Sequence, residues 1–173
     1  KGRELRLAVL GILRYNRQLS FMLCQINTDS EKERSKMNIP MNNSYIEVDV
    51  QILRENMASI ASTLTPGAGI IPVLKDDAYG LGLVPIARVL EPLDCVRCFS
   101  VSHVSEGLEL RRGGISKGIL VMNSALPFQL EAAVEAGLSL ACGRPGFVTE
   151  LQAAARAVGK AAHIHIKVDT GLH

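Results

Sequence analysis

Tryptophan is absent, and aromatic residues make up only 4% of the 173 positions. The 47% apolar content is therefore mainly aliphatic; it is ample for a core and excludes a disordered chain. Strong charge of one sign is also missing. The net charge of +2 is too small to argue for nucleic acid. Four cysteines do not make a disulfide scaffold. Cys95 and Cys98 form a single C-x-x-C with no second pair, and Cys24 and Cys142 lie far away in sequence. They read as small apolar residues around a strand start, and no metal is expected. Long apolar runs are lacking too. The longest uncharged stretch near the start, Gln18 to Thr28, is too short to span a bilayer. No small-residue cleavage site follows an apolar segment, so a secretory signal is not expected and the reading is cytoplasmic. Nucleotide fingerprints are missing: Gly80-Leu81-Gly82 is followed by Pro85 where G-x-G-x-x-G needs glycine.

The residues that are present divide into two parts. Residues 1–43 carry eight Lys/Arg against four Asp/Glu, and residues 44–173 carry eleven against thirteen. The first part reads as a basic leader or linker, helical or disordered. Leu5, Val9, Ile12 and Leu13 fall at helical spacing before the polar run Asp29 to Lys36. The chain begins with Lys1, and Met37 or Met41 would make a natural start for the second part.

From Tyr45 the pattern alternates strand and helix. Tyr45–Val48 reads as a short strand and Asp49 as a helix cap, with Leu53, Met57, Ile60 and Leu64 on one face before Thr65-Pro66-Gly67. Ile70–Leu74 reads as a strand. Leu83, Ile86, Ala87, Leu90 and Leu93 give a helical stripe, and Cys98–Val101 a strand. Ser102 is the expected cap of the helix ending at Gly113-Gly114. Strands follow at 119–122, 138–142 and 163–168, with helices opened by Pro127 and Pro145 and closed by Gly137 and Gly159. Regular alternation implies parallel strands with crossover helices, five strands counting from Ile70. The pattern alone leaves a doubly wound sheet and part of a barrel both open.

Lys75 stands out chemically. It ends the apolar run Ile70-Ile71-Pro72-Val73-Leu74 and precedes small residues and two glycines. Burying an ammonium is unfavourable unless it is paired or neutralised. Forming an imine is one way to neutralise it, and a desolvated lysine is a better nucleophile toward an aldehyde. A strand-end lysine whose head simply reaches water is the plain alternative.

The string Lys75-Asp76-Asp77-Ala78-Tyr79-Gly80-Leu81-Gly82 resembles the cofactor-lysine motif of alanine racemases, K-A-N-A-Y-G-H-G. Lys75, Ala78, Tyr79, Gly80 and Gly82 match; Asp76, Asp77 and Leu81 depart. The stretch from His163 resembles the family's K-x-D-T-G-M-x-R through Lys167, Asp169, Thr170 and Gly171, with Leu172 in place of Met. The family arginine would come after His173. Glu106 to Ile115 resembles the family's E-x-x-x-L-R-x-x-G-I and is given no catalytic role.

The resemblance implies a partial (β/α)8 TIM-type barrel over residues 44–173, with about five of eight barrel strands and the C-terminal β domain absent. It places Lys75 at the C-terminal end of the first barrel strand, where barrel chemistry is located. It implies that Lys75 holds pyridoxal 5'-phosphate as an imine and moves a proton at the substrate α-carbon. Tyr79 would contact the phosphate, and Lys167 is a candidate carbamylated lysine. The implied reaction interconverts L-alanine and D-alanine, supplying D-alanine for peptidoglycan; serine is the other substrate considered. The family's opposite-face base is a tyrosine of a partner subunit, so a homodimer is implied, and no residue of this sequence matches that base. An incomplete N-terminal portion is the expectation, with an inactive remnant or a non-catalytic pyridoxal-phosphate-binding barrel as alternatives. Two open parallel edges predict association or poor solubility.

Overall fold

The computed structural model describes residue 46 and residues 48–171. The basic leader, Tyr45, Glu47 and Cys24 lie outside the described residues. Ile46 and Val48, the described residues of the strand expected at Tyr45–Val48, have irregular backbone.

Helix α1 (Val50–Ala61) starts where the sequence places it. Asp49 Oδ1 accepts hydrogen bonds from the backbone N–H of Gln51 (2.9 Å) and Ile52 (3.0 Å). These are two of the donors that a helix start leaves without internal partners. Leu53 and Met57 are buried one turn apart. The chain then reverses at Thr65-Pro66-Gly67-Ala68, closed by the Ala68 N–H on the Thr65 carbonyl (3.0 Å). Gly67 sits at φ 85°, a conformation in which a side chain is strained.

The segment 70–74 joins the sheet as isolated parallel bridges, Ile70 with Val96 and Val73 with Ser100, rather than as the full strand expected. Pro72 is the physical reason: it has no N–H to donate to a ladder. The bonds that remain are firm. The Ser100 N–H donates to the Pro72 carbonyl and the Leu74 N–H to the Ser100 carbonyl, both at 2.8 Å.

Among the described residues four regular strands follow: β1 (Cys98–Val101), β2 (Gly118–Val121), β3 (Ser139–Cys142) and β4 (His163–Ile166). All pair in parallel, in the order β1-β2-β3-β4. Helices α2 (Lys75–Gly80) and α3 (Leu83–Leu90) lie between the 70–74 segment and β1, and α4 (Val104–Arg112), α5 (Leu130–Glu135) and α6 (Phe147–Val158) connect the four strands. A 3₁₀ turn at Pro127–Gln129 leads into α5.

The two faces of the sheet differ. Phe99, Val101, Ile119, Val121 and Leu140 are almost wholly buried under helices. Helix α4 approaches so closely that a Cβ on Gly107 would lie 2.8 Å from Leu138 Cδ1, so only glycine fits there without movement. The other face carries Ser100, Leu120, Ser139, Ala141, His163 and His165, which the register and the two-residue period set side by side. β4 is exposed at all four residues, and Ile166 and Val168 are 78% and 73% exposed.

Polar ties cluster at the N-terminal ends of the strands. Arg111 Nε donates to the Ala136 carbonyl (2.9 Å), and Nη1 donates to those of Ile115 (2.8 Å) and Lys117 (2.7 Å). Glu91 Oε1 accepts from the Ser116 N–H (2.6 Å), the Ser116 hydroxyl (3.0 Å) and the Lys117 N–H (3.1 Å). Burial alone would raise the Glu91 pKa, but these bonds and the Lys117 charge outweigh it and hold the carboxyl below its ordinary 4.5. One end of the sheet is thus tied by side chains to backbone, leaving the other for chemistry.

Candidate active site at the strand C-termini

Lys75 opens α2 (Lys75–Gly80), a single turn unlike the other helices. Asp76, Asp77, Ala78 and Tyr79 all have φ between 53° and 58°. This is a left-handed turn made by four non-glycine residues. Each such residue is disfavoured by about 1–2 kcal/mol, less for aspartate than for the others. Runs of this kind persist only where the surroundings over-determine them.

The surroundings here can be named. The Ala78 N–H donates to the Leu74 carbonyl (3.0 Å), and the Gly82 N–H to the Asp77 carbonyl (2.9 Å). Asp77 Oδ1 accepts from the Leu83 N–H at 2.7 Å, capping the start of α3. Glu106 Oε1 accepts from the Asp76 N–H at 2.7 Å. Ala78 is 3% exposed and anchors the turn in the core.

The Lys75 side chain is 38% exposed, not buried as its apolar lead-in suggests. The turn carries its head out at the strand end, where Nζ lies 3.8 Å from Asp76 Oδ2. It also lies 5.9 Å from the centre of the Tyr79 ring, a cation–π distance. The structure therefore brings Lys75 and Tyr79 together.

Lys167 is exposed just past β4, its N–H extending the ladder to the Cys142 carbonyl (2.9 Å). Strands β1, β2 and β3 separate it from the Lys75 segment, roughly 19 Å measured along the sheet at the usual strand spacing. Lys75 and Lys167 thus stand at the same end of the sheet without touching. His163 and His165 share one face of β4, as their spacing implies, and are exposed.

Helix α4 spans Val104–Arg112 as expected, but His103 rather than Ser102 stands at the cap. Glu106 Oε2 reaches back to the N–H groups of Ser102 and His103, both at 2.9 Å. Sequence reasoning gave Glu106 no part in the site. Its place three residues after the cap was a signal for the helix start, but nothing local signals its bond to Asp76, 30 residues away.

Residues 48–173 match the family described as "Alanine racemase, N-terminal domain". The chain belongs to the alanine racemase family. The alanine racemase of Geobacter sulfurreducens is 38% identical over 126 residues, which is 73% of this chain and 33% of that protein. Among solved structures, the Clostridium difficile 630 alanine racemase superposes with a TM-score of 0.67 at 30% identity, covering 69% of this chain and 31% of that one. The alanine racemase of D-cycloserine-producing Streptomyces lavendulae gives 0.67 at 31% identity, over 72% and 32%. The chain thus spans about a third of the length of the alanine racemases it matches. The parallel α/β arrangement is the N-terminal part of their TIM-type barrel. No helix of the described residues is long and apolar enough to cross a membrane.

Proposed function

We infer that this chain is the N-terminal portion of a pyridoxal-phosphate-dependent amino-acid racemase that interconverts L-alanine and D-alanine. Serine is the other candidate substrate. The observation that carries the reading is the pairing of Lys75 and Tyr79. Within the matched region, a primary amine 38% exposed stands at a strand C-terminus, 5.9 Å from a phenol ring.

The donor set fits pyridoxal 5'-phosphate. An open amine can bond its aldehyde carbon, and a phenol hydroxyl can donate to its phosphate. Lys75 Nζ would hold the cofactor, and Tyr79 would fix its phosphate end. When bound, the cofactor supplies an electron sink for negative charge at the amino acid's α-carbon. Lys75 Nζ, as a free amine, would take the α-proton on one face or return it there. Lys167 is the proposed carbamate site. The domain division at residues 43 and 44, a homodimeric whole protein and a cytoplasmic location complete the proposal, as the family suggests.

The test is covalent trapping. The 173-residue chain is incubated with pyridoxal phosphate, reduced with borohydride and mapped by peptide mass spectrometry. A single adduct on Lys75, lost in Lys75→Ala, is the expected result. Labelling scattered over other lysines, or none, would refute the site and leave an inert portion of the family fold.

A further inference from the structure

We propose that Glu106 is the positioning residue of the Lys75 turn, an inference that rests on reading Lys75 as the cofactor lysine. One carboxylate joins two backbone segments 30 residues apart. Oε1 takes the Asp76 N–H at 2.7 Å, and Oε2 takes those of Ser102 and His103 at 2.9 Å. Hydrogen bonds to an ionised acceptor are about twice as strong as neutral ones.

The position of these bonds gives them their effect. Asp76 is the first left-handed residue, and its N–H belongs to the peptide unit that also contains the Lys75 carbonyl. Fixing that N–H fixes the plane of the unit, and with it the direction in which Lys75 leaves the backbone. The preceding side is held as well, because the Leu74 N–H donates to the Ser100 carbonyl at 2.8 Å. Lys75 is thus clamped between a bond on each neighbour, and both bonds lead to β1 and its junction with α4. Ser100 lies on β1, and Ser102 and His103 follow it directly. Without the carboxylate, the strained turn loses the acceptor that holds its first residue.

Glutamine at 106 has one acceptor oxygen and cannot serve both segments. Aspartate is one methylene shorter. The test compares the full chain with Glu106→Gln in three measurements: pyridoxal-phosphate trapping, reductive methylation with formaldehyde, and hydrogen exchange at the Asp76 amide. Lys160, far from the turn in sequence and bonded to the Glu135 carbonyl, serves as internal reference. In Glu106→Gln the Lys75 yield relative to Lys160 should fall about tenfold, the scale of one hydrogen bond to a charged group. Exchange at Asp76 should quicken while the circular dichroism spectrum stays native.

An unchanged Lys75 share with both reagents overturns the proposal, even if Lys75 is the trapping site. If pyridoxal phosphate fails to label Lys75 in the wild type, yet Glu106→Gln still lowers its methylation selectively, the cofactor reading falls and the positioning stands. Should Glu106→Gln not fold, the wild-type chain decides: an Asp76 amide that exchanges as fast as an unprotected one overturns the clamp.

Discussion

Replacing Asp76 by alanine and, separately, by glycine isolates the strain in the turn that follows Lys75. Both changes delete the exposed carboxylate and its 3.8 Å pairing with Lys75, so that weak surface interaction cancels between them. What remains is the backbone at φ 54°. Alanine there is disfavoured by about 1–2 kcal/mol, whereas glycine is not. Glycine in turn loses about 0.4–1 kcal/mol through the greater freedom of its unfolded chain. The difference favours Asp76→Gly over Asp76→Ala by about 0–1.6 kcal/mol, centred on ~0.8 kcal/mol. In a right-handed or extended backbone the strain term vanishes, and alanine would win by about 0.4–1 kcal/mol. The sign of the difference is thus diagnostic. Urea unfolding of the two full-length variants, followed by far-ultraviolet circular dichroism, reads it directly. An alanine variant more stable than the glycine variant would refute the left-handed turn.

Two further outcomes concern the ties at the opposite end of the sheet. Arg111→Lys removes a fork that reaches the carbonyls of Ala136, Ile115 and Lys117, which one ammonium cannot replace, and should lower stability by about 1–3 kcal/mol in the same urea assay. The Glu91 carboxyl titrates below its ordinary 4.5 in the folded chain, so its contribution is fully present above that value and is lost as pH falls through the folded pKa. Stability should therefore fall with acid below about pH 4.5 through this group, and Glu91→Gln should be less stable at pH 7 and less sensitive to acid, as checked by melting curves across pH 3 to 7.

Periodicity made much of the architecture legible. Asp49 capped its helix, the stripe Leu83-Ile86-Ala87-Leu90 is buried, and all four regular strands lie within two residues of their expected bounds. These are local signals, set by side-chain spacing and capping chemistry over a few residues. The segment 70–74 was harder: its apolar run is real, but Pro72 breaks the ladder into bridges. The second face of the sheet, with its serines and histidines, followed from the alternation once the register was known.

The candidate site was only half legible. Lys75 and Tyr79 were singled out by a motif and lie together, but the left-handed backbone joining them has no signature in Asp76-Asp77-Ala78-Tyr79. Positive φ is usually announced by glycine, and here it is imposed by partners elsewhere. The same turn explains why the Lys75 head is half-exposed. Glu106 escaped notice because its helix-start role is local, whereas its grip on Asp76 spans the fold. Lys167 occupies the right end of the sheet, and its proposed modification remains an expectation of the motif.

The strand order has a consequence in time. Cys98 pairs with Gly118, Leu120 with Ser139, and Ser139 with His163, so partners lie 19 to 24 residues apart. At a synthesis rate of about 5–20 residues per second, each new strand reaches its neighbour roughly 1–5 s after that neighbour emerges. The sheet can therefore grow in the order in which the ribosome delivers it, always offering one fresh edge. Because Glu106 arrives just after β1, the turn that carries Lys75 can be locked before β2 has been made.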